Sequence, residues 1–101
     1  MKSGMFTIDL SDDSLDELRQ FRKRDSTTIV DEIERQLTYQ PDVETRNRKP
    51  LRAHRLGEWE LRVDTFRVFY DIDTEKKTVL VKAVGVKVGN KLFLRGKEFP
   101  L

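Results

Sequence analysis

The fold is decided by residues 59–70, which read WELRVDTFRVFY. Apolar and polar residues alternate on both sides of Asp64-Thr65, a pattern typical of two strands joined by a tight turn. A symmetric hairpin around that turn pairs Arg62 with Arg67 and places the apolar residues together on the opposite face. We therefore predict a β-hairpin with one core-facing side. That side consists of Trp59, Leu61, Val63, Phe66, Val68 and Tyr70.

Arg62 and Arg67 lie directly opposite each other in this pairing, and like charges in that position destabilise a sheet. Two arrangements offset the repulsion. Glu60, two residues from Arg62 on the same face, can neutralise the pair. A bound phosphate can do so as well, because a guanidinium presents a fixed fork of donors to an anion. The sequence leaves both arrangements open.

The segment before the hairpin is predicted to form a strand followed by two helices. Met5 to Leu10 alternates apolar and polar residues, as a short strand does. Ser11 is a helix N-cap residue, and the first helix is expected to end in the basic triplet Arg22 to Arg24, which complements a C-terminal dipole. Asp25 or Ser26 is the expected cap of the second helix.

The second helix carries an apolar stripe at helical spacing and ends before Pro41. Residues 41–57 are predicted to be a long connection. After the hairpin, residues 78–86 (TVLVKAVGV) are apolar on both faces apart from Lys82, which indicates a central strand. Lys91 to Leu94 is one more short strand. The stripe consists of Ile29, Val30, Ile33 and Leu37.

This order of elements predicts an α+β fold with two layers, β-α-α-β-β-β(-β), in which a helical hairpin packs on a mostly antiparallel sheet. A chain of 101 residues builds one such domain, covering residues 1–101. There is no cysteine and one histidine, so we expect no disulfide, metal or cofactor. No apolar run is long enough for a membrane span or a signal core, which predicts a cytoplasmic protein without a membrane partner.

The charges are divided unevenly along the chain. Residues 1–44 contain 11 acidic against 6 basic residues, whereas residues 46–101 contain 7 acidic against 14 basic residues. A split of this kind indicates that the second part meets an anion, with the first part solvated or facing a basic partner. The alternative is simple dispersion of surface charge.

Two basic stretches are candidate nucleic-acid contacts, since cationic side chains neutralise phosphates. Residues 46–55 contain five Lys or Arg and no acid, and residues 76–97 contain seven and no acid. The first can equally be a solvated loop or a partner of the acidic helices. Phe93, between two cations of the second, can stack on a base or belong to the core. The candidate nucleic-acid-binding residues are Arg46, Arg48, Lys49, Arg52, His54, Arg55, Lys91 and Arg95.

No pattern of nucleophile and base, Gly-rich phosphate loop or metal-ligand spacing is present in the sequence. His54 is either a general base or an ordinary loop histidine, since its pKa when free lies near neutrality. If the chain cleaves RNA, the chemistry therefore rests largely on arginine and lysine. These side chains stabilise a charged transition state and position the ribose hydroxyl.

The hairpin at residues 59–70, with a hydrophobic strand that ends at Gly85, is similar to the core of the RelE/ParE toxin superfamily. The order of strand, two helices and meander fits over nearly the whole chain. The loop Thr45–Lys49 (TRNRK) and the tail Gly89–Gly96 (GNKLFLRG) also resemble segments of that superfamily. The resemblance implies the toxin of a type II toxin–antitoxin system, a growth inhibitor that a cognate antitoxin protein wraps and neutralises.

The resemblance also implies roles for individual residues. Arg67 matches the hairpin arginine that contacts the scissile phosphate in RelE-like ribonucleases, and Lys87 falls near a second arginine of those enzymes. Two lysines of RelE-like enzymes fall at Glu58 and Glu60, and a tail tyrosine falls at Phe93, which has no hydroxyl. Together with Arg62, which the hairpin register places opposite Arg67, the residues Arg67 and Lys87 form the candidate catalytic set.

Three functions are consistent with these features. We expect a metal-independent mRNA endoribonuclease that depends on the ribosome and inhibits translation, with mRNA on the ribosome and an antitoxin as partners. The alternatives are a ParE-like inhibitor of DNA gyrase, which lacks that catalytic set, and a degenerate member that only binds an antitoxin. The arginine pair favours RNA, whereas Glu58, Glu60 and Phe93 favour a binder without catalysis.

Overall fold

The computed structural model describes residues 4–52 and 56–100 and contains two helices and seven strands in those ranges. The predicted α+β architecture is confirmed, since both helices pack on one face of a mostly antiparallel sheet. The helices are α1 (Asp12–Gln20) and α2 (Lys23–Leu37). The strands are β1 (Thr7–Leu10), β2 (Arg48–Pro50), β3 (Trp59–Val63), β4 (Phe66–Asp73), β5 (Thr78–Val88), β6 (Lys91–Leu94) and β7 (Lys97–Phe99).

The sheet is ordered β2-β3-β4-β5-β6-β7, and β1 pairs in parallel with the first part of β5. The β3–β4 hairpin has the predicted register, from Trp59 opposite Tyr70 to Val63 opposite Phe66. Leu61 is fully buried in it. Because a shift of one residue would exchange the two faces, this burial confirms the register.

The main core lies between the helices and the sheet face that they cover, which we call the helix-side face. Leu18, Ile33 and Leu37 pack there against hairpin residues such as Leu61. Tyr70 is fully buried, and its hydroxyl donates a hydrogen bond of 2.8 Å to the carbonyl oxygen of Pro41. Burial raises the pKa of this phenol, so the hydroxyl remains a donor.

The helix boundaries differ from the prediction in one respect. Ser11 caps α1 as expected, since its side chain accepts from the backbone N–H of Ser14. However, α1 ends at Gln20, and the basic triplet lies at the start of α2, where Arg22 occupies the N-cap position without a side-chain cap. The predicted caps Asp25 and Ser26 are therefore wrong. The chain leaves α1 at Phe21, which has an extended backbone. The centroid of its ring lies 5.0 Å from that of Phe66.

Helix α1 fills a gap along one edge of β5. On that edge, β1 pairs with β5 up to Val81, and β6 pairs from Val86 onwards. Between them, the Ser11 hydroxyl donates to the carbonyl oxygen of Lys82, and the Glu17 carboxylate accepts from the N–H of Val84 at 2.6 Å. Side chains of α1 and of its N-cap thus satisfy backbone groups that a strand would otherwise pair.

The opposite face of the sheet, which we call the distal face, carries a small second core. Phe69, Ala83 and Leu92 form it, and the β6–β7 ribbon contributes Leu94 and Phe99. Strand β7 was not predicted, and neither was β2, which lies inside the expected connection at residues 41–57. Among the described residues, no helix is long and apolar enough to cross a membrane.

Candidate functional site

The three predicted catalytic residues lie on the distal face, at the end of the sheet that holds the Asp64–Thr65 turn. Arg62 on β3 lies opposite Arg67 on β4, and Arg67 in turn lies opposite Gly85 on β5. Lys87 follows Gly85 by two residues and therefore shares its face. The N–H of Lys87 donates to the carbonyl oxygen of Thr65 at 2.7 Å, which ties β5 to the turn. The fold thus brings these three cations to one place.

Gly85 gives this site its shape. A Cβ atom at that position would lie 2.7 Å from Cδ2 of Leu94 and 2.8 Å from the carbonyl oxygen of Phe93. Any side chain would therefore push the β6–β7 ribbon away from β5. Gly85 also places no side chain directly opposite Arg67 on β5, so the guanidinium can lie against the sheet.

Arg67 is held by groups on three sides. Its Nη1 donates 2.8 Å hydrogen bonds to the carbonyl oxygens of Asp64 and Phe66, and its Nε lies 3.4 Å from Oε2 of Glu60. The side chain is only 11% exposed and that of Glu60 is 17% exposed. Burial lowers the pKa of Arg67, Glu60 raises it, and Arg62 lowers it. Arg67 is thus largely shielded from solvent, and of the two arrangements that the sequence left open, Glu60 supplies the counter-charge.

Two exposed cations flank this pair. Arg62 is exposed and forms no ion pair with any residue that the structure describes. Lys49 is exposed on β2, opposite Glu60, and therefore lies on the same face. We call Lys49, Arg62, Arg67 and Lys87 the distal cation cluster. Its charge exceeds what Glu60 neutralises, which is a suitable arrangement for binding a phosphate.

Arg48 has a structural place instead. It is opposite Leu61, so its side chain lies on the helix-side face, where it is buried. Its guanidinium donates to the carbonyl oxygen of Gln36 at 2.6 Å and to that of Val43 at 3.0 Å. These bonds fasten the chain after α2 to the helix. The prediction that Arg48 contacts nucleic acid conflicts with this burial, because the residue is only 9% exposed and its guanidinium is bonded to those two carbonyl oxygens.

A comparison with known proteins places this arrangement in a recognised fold. No protein-family model matches the chain, and no curated protein sequence matches it. Among solved structures, a chain of the toxin–antitoxin complex RelBE2 from Mycobacterium tuberculosis matches with a TM-score of 0.73 and 27% identity, covering 85% of this chain and 95% of that chain. This chain has a RelE-like toxin fold. The resemblance inferred from the hairpin is thereby confirmed.

Within the RelE-like fold, the remaining candidates for nucleic-acid binding are spread out. Arg46 and Arg52 are exposed on either side of β2, whereas His54 and Arg55 lie outside the described residues. Lys91 is opposite Val88. Nη1 of Arg95 lies 3.1 Å from Oε2 of Glu17 on α1. Lys91 and Arg95 therefore lie away from the distal cation cluster.

Two departures from the RelE-like pattern have structural consequences. Phe93 is opposite Val86 and lies on the helix-side face, so its ring cannot stack on a ligand that binds beside Arg67. Glu60 lies beside Arg67, where the sequence suggested only a neutralising charge. A carboxylate beside a cation that can bind phosphate is a candidate proton acceptor, and Glu60 was not considered in that role from the sequence. The diagonal position of Glu60 and Arg67 in the hairpin register was the available signal.

Proposed function

We propose that this chain is the toxin of a toxin–antitoxin pair and acts in the cytoplasm as a metal-independent mRNA endoribonuclease on the ribosome. The observation that carries the proposal is the Glu60–Arg67 pair, 3.4 Å apart and flanked by the exposed cations Arg62 and Lys49 on a RelE-like fold. Cations around one carboxylate are suited to a reaction in which a phosphate gains charge while a hydroxyl loses a proton.

The cations act on the phosphate. A backbone phosphate of RNA at the cluster would meet Arg62 and Lys87 first, because Arg67 lies deeper and its Nη1 is already bonded to two carbonyl oxygens. Arg67 is thereby fixed in position before the substrate arrives. A pre-oriented cation is most effective where charge develops on the phosphate oxygens in the transition state.

Glu60 acts on the proton. Its carboxylate accepts the proton of the ribose 2′-hydroxyl, the 2′ oxygen attacks the adjacent phosphorus, and the bond from phosphorus to the 5′ oxygen breaks. The leaving oxygen takes a proton from solvent. Arg67 holds Glu60 in place for this step, since its Nε lies 3.4 Å from Oε2 of that carboxylate.

The partner follows from the comparison. The matching structure is a complex of a toxin with its antitoxin, and the shared fold covers 95% of that chain. We infer that this chain has an antitoxin too, with an acidic segment that covers the distal cation cluster. Such a segment would associate quickly and would occlude the phosphate site, since opposite charges steer encounter.

Inhibition of DNA gyrase is the second candidate. It is favoured by the absence of a hydroxyl at Phe93 and by the position of that ring on the helix-side face. A toxin that only binds its target needs no proton acceptor, so Glu60 would then serve the sheet alone.

Induction of the chain without its antitoxin, followed by mapping of mRNA 5′ ends and by a supercoiling assay with purified gyrase, tests the two candidates. Endonuclease action gives new 5′ ends on translated messages and leaves supercoiling unchanged. Growth arrest without new ends, together with loss of supercoiling, would reject the nuclease and establish the gyrase inhibitor. The Glu60→Gln variant provides the mechanistic control, since it retains the shape of the side chain and loses the proton acceptor.

A further inference from the structure

The sheet extends past the helical layer and leaves a groove on the helix-side face. Helix α1 ends at Gln20, while β5 continues to Val88 and pairs with β6 there. The groove has a volume of about 450 Å³, and we call it the terminal groove. Its apolar lining consists of Phe21, Val86, Val88 and Phe93.

The described chain covers this apolar lining only in part. Val88, the last residue of β5, is 61% exposed. Two half-buried aromatic rings, those of Phe21 and Phe93, line the groove beside it. An exposed aliphatic side chain beside aromatic rings in a concave site is typical of a surface that binds another protein.

The charges around the groove select the partner. Lys91 is exposed and lies opposite Val88, so it stands at the rim on the same face. Arg95 also lines the groove, but its Nη1 is paired with Oε2 of Glu17 at 3.1 Å and with Oδ1 of Asp13 at 3.7 Å. The carboxylate of Glu17 is only 2% exposed, and it is occupied by the N–H of Val84 and by Arg95. Among the described residues, Lys91 is therefore the cation at the rim that no acid of the chain neutralises, and the complement of this surface is a segment with apolar and acidic side chains.

We propose that the terminal groove is a docking site for the antitoxin, which places an apolar side chain beside Val88 and a carboxylate beside Lys91. This inference rests on the proposed function, since it takes the partner from there. The groove lies on the helix-side face, whereas Arg67 lies on the distal face. An antitoxin segment in the groove would hold the complex together without touching the phosphate site.

Val88→Glu tests the site, because it adds a carboxylate where an acidic segment would dock and changes an exposed residue. Leu80→Glu is the matched control, since Leu80 lies on the same strand and is 39% exposed at the other end. The binding partner in the test is the protein encoded by the reading frame next to that of this chain. Titration calorimetry should show affinity weakened about tenfold or more for Val88→Glu and for Lys91→Glu, and unchanged for Leu80→Glu.

Growth provides the second measurement. Val88→Glu should arrest growth as the parent does and should no longer be rescued by co-expression of that partner. If the parent binds and Val88→Glu binds equally well, the docking site is wrong while the toxin–antitoxin pair stands. If the parent does not bind, the inference and the proposed pairing both fail. If the free chain forms dimers that Val88→Glu abolishes, the groove is a self-association surface and the antitoxin is not its occupant.

Discussion

Nε of Arg67 lies 3.4 Å from Oε2 of Glu60, across the same hairpin that places Arg62 directly opposite Arg67. The carboxylate thus lies where two guanidinium groups would otherwise repel each other on adjacent strands. Because both members of the ion pair are mostly shielded from water, their interaction is screened less than that of an exposed pair. One contact therefore connects the stability of the hairpin with the charge of the candidate site.

Replacing Glu60 with Gln should lower the free energy of unfolding by about 1–2 kcal/mol, because Arg67 keeps its charge and loses its counter-charge. Urea unfolding measures the effect. Glu58→Gln is the control, since that carboxylate is exposed, and it should change stability by less than about 0.5 kcal/mol. Adding Arg62→Gln to Glu60→Gln should recover part of the lost stability, because it removes the repulsion between Arg62 and Arg67. Equal stability of the two single variants would show that the ion pair contributes nothing.

Leu61 should be a main determinant of stability. It is fully buried between the hairpin and the helices, so Leu61→Ala should cost about 2–5 kcal/mol in the free energy of unfolding. Leu80→Ala, at a partly exposed position on β5, should cost well under half of that. Thermal and urea unfolding of both variants measure the difference. Similar costs at the two positions would contradict the assignment of Leu61 to the core.

The hairpin and the arginine pair could be predicted because a two-residue turn and strict alternation determine both register and face. The end of α1 could not be predicted, since it depends on the contact between Phe21 and Phe66, two residues that are far apart in the sequence. Strand β2 was missed because three residues carry no periodicity. The burial of Arg48 was missed for a related reason, since its acceptors Gln36 and Val43 come from segments that only the fold brings together.

Glu17 should make stability depend on pH. Burial raises the pKa of this carboxyl above 4.5 in the folded chain, although the N–H of Val84 and the charge of Arg95 lower it. The folded chain therefore holds the proton to higher pH than the unfolded chain does. The stabilisation from this proton is complete below pH 4.5 and is lost as the pH rises through the folded pKa.

Glu17→Gln isolates this contribution, because it removes the titrating group. As the pH rises above 4.5, the parent should lose stability relative to Glu17→Gln. Urea unfolding of both proteins from about pH 4 upwards measures this difference. Asp12→Asn serves as the control, because that carboxylate is exposed on the same helix and does not contribute to the shift of Glu17. A parent that gains stability relative to Glu17→Gln over this range would show that the ion pair with Arg95 outweighs burial.

The turn at Asp64 should respond to changes in backbone preference. Asp64 has φ = 56°, in the left-handed region that glycine adopts without steric cost, and its carbonyl oxygen accepts from Arg67. Asp64→Gly should therefore keep or raise stability by up to about 1 kcal/mol, and Asp64→Val should lower it by about 1–2 kcal/mol. Thermal unfolding tests the order. A valine variant as stable as the glycine variant would mean that the turn relaxes to another conformation.

Arg67 should matter most for activity if the chain cleaves RNA. Arg67→Ala removes a held cation from the site and should abolish growth arrest and mRNA cutting. Arg67→Lys should be impaired as well, because an ammonium cannot keep the carbonyl bonds of the guanidinium and also contact a phosphate. The expected order of loss is Arg67, then Lys87, then Arg62, measured by mapped 5′ ends per unit of toxin.

Stability must be separated from chemistry in this experiment, since Arg67→Ala also leaves Glu60 without its ion-pair partner. Arg67→Lys with Glu60→Gln is the informative comparison, because each variant breaks the same pair from a different side. If cutting depends on the reacting groups, both variants lose it while circular dichroism at the assay temperature still shows a folded chain. A folded Arg67→Ala that arrests growth like the parent, with no cleaved message from either, would exclude the nuclease and leave binding to gyrase as the better account.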